Sequence, residues 1–131
     1  MKIFFGPVRN TPSWSWVGQD IALQFQSWGY DVGFFGALED IPPSSVCFWI
    51  KEPLSAEKAQ ALYDRRLKIV FLPVDCFHSS EHITACAAFT SACSVIMLHN
   101  MNMAPYIDKA KLMAVVHHNK YGVLPRARTP Y

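Results

Sequence analysis

Charge of one sign is scarce in this chain: 12 Lys and Arg stand against 10 Asp and Glu, and the basic residues form no run. Proteins that hold nucleic acid by neutralising phosphates concentrate Lys and Arg, so a net charge of +2 gives no expectation of a nucleic-acid partner. Apolar runs of membrane-spanning length are also missing. The longest weakly polar stretch, "ITACAAFTSACSVIML", is too short and too rich in Ser and Thr to cross a bilayer. No basic and apolar leader with a small-residue end follows Met1, so no signal peptide is expected. CxxC spacing is absent from the four cysteines, Cys47, Cys76, Cys86 and Cys93. They are expected to be reduced thiols acting as small core hydrophobes in a reducing cytoplasm. There is no GxGxxG or P-loop pattern to cradle a dinucleotide or triphosphate, no GxSxG elbow, no internal repeat and no low-complexity segment. No cofactor is therefore expected.

What is present is an apolar, ordered chain. Hydrophobic residues make up 51% of the 131 positions and charged residues 17%, enough for one domain to bury a core without a disulfide or metal. Aromatic residues, at 14%, exceed what a minimal core needs, which assigns some rings to an interface or ligand.

The stretch from Lys2 to Phe35 sets the plan: a strand "KIFF", a loop "GPVRNTPSWS", an amphipathic helix "WVGQDIALQFQSWG" and a strand "DVGFF". Val17, Ile21, Phe25 and Trp28 fall on one face of a 3.6-residue period, with Trp28 read as core and Gly29 as a left-handed helix end. Further on, "GALEDIPPSS" reads as a loop and "SVCFWI" as a third strand. Ser55 caps an expected helix "AEKAQALYDRR", with Arg65 and Arg66 in its last turn. A strand "KIVFLPV" follows, then one helix "EHITACAAFTSA" capped by Ser79 or Ser80, whose small residues imply close burial. A strand "SVIMLH", a short helix "NMNMAPYIDKAK" and a sixth strand "LMAVVHH" complete residues 1–122, and 123–131 read as an irregular tail. Six apolar strands alternating with helices predict an α/β fold: a three-layer, Rossmann-like, doubly wound and mostly parallel sheet of about six strands. The expected strand order is 3-2-1-4-5-6.

Such sheets bind ligands beyond the carboxyl ends of their strands. Those ends carry Arg9 and Asn10, then Lys51 and Glu52, then Asp75 and His78, then His99 and Asn100, and last His117, His118, Asn119 and Lys120. Imidazole titrates near neutral pH, which makes His99 and His118 the candidate acid-base groups. Trp14 and Trp16, beside Arg9 at a helix start, either grip a phosphate or stack on a sugar, or else staple the loop or fill a subunit contact. The histidines lack any recognised local ligand spacing, so no metal site is assigned.

"SWVGQDIALQFQSWGYDVGFF", with the later "KIVFLPVDCF", "SACSVIMLHN" and "LMAVVHHNKYG", resembles the N-terminal domain of GT-B-type group 1 glycosyltransferases. The resemblance implies a Rossmann-like domain that binds the acceptor at its strand ends, facing a donor-sugar site across a cleft. It implies that Arg9, Asn10, Trp14 and Trp16, with either His99 or the pair His117 and His118, line the acceptor side. The paired glycines common in that family's first loop are replaced here by "NTPSWSW", and the nucleotide-holding second domain is absent from the chain. Catalysis would then need a second domain or partner chain. The expected function is binding of a sugar or phosphorylated ligand. The alternatives are a non-catalytic binding or assembly module, as a homo-oligomer with Trp14, Trp16 and the tail buried, and a small metal-dependent hydrolase using the histidine rim.

Overall fold

The computed structural model of the protein describes residues 2–74, 79–98, 105, 107 and 111–115. Six strands form one sheet: β1 (Lys2–Gly6), β2 (Asp31–Phe34), β3 (Val46–Ile50), β4 (Lys68–Leu72), β5 (Val95–Leu98) and β6 (Leu112–Val115). Every neighbouring pair runs parallel, in the order β2-β1-β3-β4-β5-β6.

Side chains alternate across the sheet as strand geometry requires. Ile3, Phe5, Ile50 and Leu72 pack on one face with Trp14 and Ala22, beneath a π-helical segment (Trp14–Gln19) that runs straight into helix α1 (Asp20–Ser27). Phe4, Cys47, Trp49, Ile69, Phe71 and Ile96 pack on the other face, against helices α2 (Ala56–Asp64), α3 (Ser80–Ala85) and α4 (Ala87–Ala92). Helices on both faces of a parallel sheet make the fold a three-layer, doubly wound α/β domain, as the alternating pattern predicts.

The strand order departs from the expected one. β3 lies on the far side of β1 from β2, because residues 35–45 cross under β1 without an α-helix. Phe35 and Ile41 are buried in that crossing, and Phe35 lies 5.2 Å, ring to ring, from Trp49. The Arg65 guanidinium donates to the Ile41 carbonyl and ties the crossing to the end of α2. These apolar side chains occupy the space a crossover helix would fill.

Helix ends follow local chemistry. Thr11 and Pro12 start the first helix earlier than its apolar period indicates: residues 12 and 13 are already helical, and Thr11 Oγ1 accepts from the Trp14 N–H at 3.4 Å. At the other end Gly29 takes φ +94°, as read from sequence. Its N–H donates to Gln26 O at 2.9 Å, while the Tyr30 N–H reaches Phe25 O at 3.1 Å. The Tyr30 and Phe25 rings meet 5.3 Å apart, the hydrophobic contact that accompanies this paired-bond ending. Trp28, expected in the core, is 63% exposed, because the helix ends there and, among the described residues, its ring packs edge-on against Phe25.

Ser55 caps α2 and Ser79 caps α3, each accepting an N–H three residues on. Arg65 and Arg66 stand beyond α2, which stops at Asp64, and Arg66 adopts φ +56°. The single helix expected over 81–92 breaks at Cys86 into α3 and α4. Close burial of its small residues is not observed: Ile83 and Phe89 are buried, whereas Ala85, Ala87 and Ala88 face solvent. The short helix expected at 100–111, apart from residues 105, 107 and 111, and the last residues of the expected sixth strand lie outside the described residues.

Candidate functional site

The chain leaves β1 by the face that holds α1 and leaves β3 by the face that holds α2. Neighbouring strands whose connections part to opposite faces leave a crevice above their carboxyl ends, the topological switch point of a doubly wound sheet. With this strand order the switch point falls between β1 and β3, and a cleft of about 120 Å³ lies there.

Its walls come from two short segments. The first follows β1: Pro7, joined to Gly6 by a cis peptide bond, then Arg9, Thr11, Ser13 and Trp14. The second is the end of β3, with Ile50, Lys51 and Glu52. Each is fastened to the sheet. The Val8 N–H donates to Phe35 O at 2.8 Å, and the Lys51 N–H donates to Leu72 O at 2.8 Å. Trp49 Nε1 donates to the Glu52 carbonyl at 2.7 Å, holding the second segment from the core side. Lys51 has φ +72°, a left-handed conformation that costs a non-glycine residue about 1–2 kcal/mol and persists only where surrounding contacts over-determine it.

Trp14 is the apolar wall. Only 7% exposed, it is seated by Gly18, where an added Cβ would come within 2.3 Å of the indole. Across the mouth, Arg9 Nε donates to Glu52 Oε1 at 3.2 Å. With side chains 47% and 62% exposed, that pair contributes less than about 1 kcal/mol. The cleft thus brings together two cations, one carboxylate, the hydroxyls of Thr11 and Ser13, and the start of a helix whose first N–H groups favour negative charge. This donor set suits a small anion. Among the described residues Glu52 is the only carboxylate that lines it, and none of the lining residues is a histidine.

Of the residues singled out from sequence, Arg9, Trp14, Lys51 and Glu52 meet in the cleft. Asn10 is exposed in the same loop without lining it, and Trp16 is 58% exposed on the following helical turn, outside the lining. Asp75, His78, His99, Asn100, His117, His118, Asn119 and Lys120 lie outside the described residues. Thr11 and Ser13 were not singled out, although Thr-Pro-Ser is itself a helix-start signature that places hydroxyls at a strand end. Among the described residues no group of His, Cys, Asp and Glu is arranged to hold a metal ion. No described helix is long and apolar enough to cross a membrane. Comparison with protein-family descriptions, curated proteins and solved structures finds no match for the chain.

Proposed function

We propose that this domain binds a sugar or phosphorylated small molecule in the crevice between β1 and β3, as the acceptor-side half of a glycosyltransferase-like assembly completed by a second domain or a partner chain. One observation carries the reading: Arg9 and Lys51, far apart in sequence, meet at the switch point beside a helix start and two hydroxyls. A cleft of about 120 Å³ holds a phosphate-sized group, so the remainder of a larger ligand extends over the rim. The unpaired thiols Cys47, Cys86 and Cys93 support a reducing, cytoplasmic setting. As for the assembly-module alternative, Trp14 is buried in its own chain and is not available to a subunit contact.

The test is a proton and nitrogen NMR titration of the 131-residue chain with inorganic phosphate, hexose phosphates, free sugars and sugar nucleotides. Expected are shifts centred on Arg9, Thr11, Trp14 and Lys51 with a phosphorylated sugar, and binding at least tenfold weaker in Arg9→Ala and Lys51→Ala. A folded sample whose cleft signals stay still across the panel rejects the proposal. Binding of phosphorylated and free sugars with equal affinity would reject the role given to the two cations.

A further inference from the structure

The sheet ends at β2, which among the described residues pairs only with β1. The Phe35 N–H donates inward to Phe5 O at 3.2 Å. Alternation along the strand therefore aims the N–H and C=O groups of Val32 and Phe34 outward, toward an open edge. Natural edge strands are blunted by shortness, charge, Pro or a bulge. This one is short and opens on the exposed Asp31, but it has no Lys, Pro or bulge. Its four residues are Asp-Val-Gly-Phe, paired to β1 in an unbroken register from Lys2 opposite Asp31 to Phe5 opposite Phe34.

Aromatic side chains flank the edge. Trp28, Tyr30 and Phe34 are 63%, 51% and 43% exposed, although each is held on one side by a ring of the same chain. Tyr30 packs on Phe25, and Phe34 packs edge-on against Trp14 at 5.9 Å. They are exposed without being loose.

From this edge we infer that the protein self-associates through β2, two copies pairing antiparallel about a two-fold axis at Val32 to make one continuous sheet. The strand reads nearly the same in both directions as aromatic, Asp, Val, Gly, aromatic. Pairing centred on Val32 sets Tyr30 of each copy opposite Phe34 of the other and Val32 opposite its own mate, all on the α1 face. Asp31 falls opposite Gly33, so the strand's only charge never meets itself. The outward backbone groups come into register as well, with a reciprocal pair of bonds at Val32 and the Phe34 N–H directed at the Tyr30 carbonyl. The Tyr30 N–H is not needed, being already held by Phe25 O at 3.1 Å. Moving the axis to Gly33 sets Val32 opposite Phe34 and Tyr30 opposite Gly36, which loses both aromatic pairs. This self-complementarity selects a second copy of the chain over an unrelated extended peptide. The inference is independent of the cleft.

Sedimentation of the 131-residue chain across micromolar to millimolar concentration should show the mass rising from 14.8 kDa toward twice that value. Placing lysines at the seam with Tyr30→Lys/Phe34→Lys should weaken association at least tenfold. Tyr63→Lys, at an equally exposed ring on α2, should leave it unchanged. Folding of each variant is checked by its amide spectrum. A milder variant fixes the register: Val32→Cys should form a disulfide-linked dimer on gentle oxidation, whereas Phe34→Cys should not. A chain that stays at 14.8 kDa to millimolar concentration overturns the inference. So does association that the lysine pair leaves unchanged, or cross-linking as ready at Phe34→Cys as at Val32→Cys.

Discussion

Among single residues, the helix endings differ most in cost. Gly29 and Arg66 occupy equivalent positions, each one residue past the C-cap of a helix and each with positive φ. At the second of these endings the Arg66 N–H donates to Tyr63 O, and the Leu67 N–H to Leu62 O, both at 3.0 Å. Glycine accepts the left-handed backbone freely, whereas arginine pays about 1 kcal/mol or more for it. Arg66→Gly should therefore raise stability by about 0.5–1 kcal/mol after the entropy glycine adds to the unfolded chain, read as a higher urea midpoint at unchanged slope. A lower midpoint would mean that the Arg66 side chain contributes more than its backbone costs. Gly29 could be read from sequence because its residue type announces its conformation. Arg66 could not, since nothing about arginine signals a left-handed turn and the pair Arg65 and Arg66 fits the basic last turn of a helix equally well.

Within elements, periodicity located the helices and capping chemistry decided where they begin. The apolar spacing from Val17 to Phe25 marks α1 and its sheet-facing side, yet the helix starts five residues before Val17, at Pro12. The intervening π segment owes its packing to the Trp14 indole lying over Gly18. A methyl group there would meet the ring and press toward Ile50 Cγ1 at 3.1 Å. Gly18→Ala is expected to cost about 1–3 kcal/mol in denaturant unfolding and to shift the indole signal of Trp14, since both ring and methyl cannot occupy the site. An unchanged midpoint would show that the segment relaxes to an ordinary α-helical turn. The break at Cys86 was not legible, because Ala, Thr and Ser give no period to interrupt.

For the whole molecule, the alternation of apolar strands with helices made the doubly wound fold readable, while the strand order depended on one connection. Residues 35–45 contain Phe35, Leu38 and Ile41, and nothing in their spacing tells a loop that packs under β1 from one that stays beside β2. The site was legible to the same degree. Strand ends named Arg9 and Lys51, but only the order of the strands puts the two ends side by side.

Burial of the core also sets a pH response. It pushes the Cys47 thiol up to about 12, and likewise Cys93 to about 12 despite the opposing charge of Lys111. Between pH 9 and 12 the unfolded chain gives up these protons and the folded chain keeps them, so the unfolded state binds fewer protons and stability falls as pH rises. The slope is at most about 1.4 kcal/mol per pH unit for each thiol, with no contribution below pH 9. Urea midpoints measured from pH 8 to 11 should fall, and fall less steeply in Cys47→Ala/Cys93→Ala. Parallel curves for the two proteins would exclude the thiols as the cause.

The contact between Arg9 and Glu52 gives the cleft a tethered occupant. An arriving anion does not meet a bare guanidinium but a carboxylate already seated on it at 3.2 Å, held in the neighbourhood by the Trp49 bond to its own backbone. Displacing that carboxylate costs under about 1 kcal/mol, yet it leaves its negative charge beside the newcomer. A ligand that binds here as proposed therefore competes with Glu52 for Arg9.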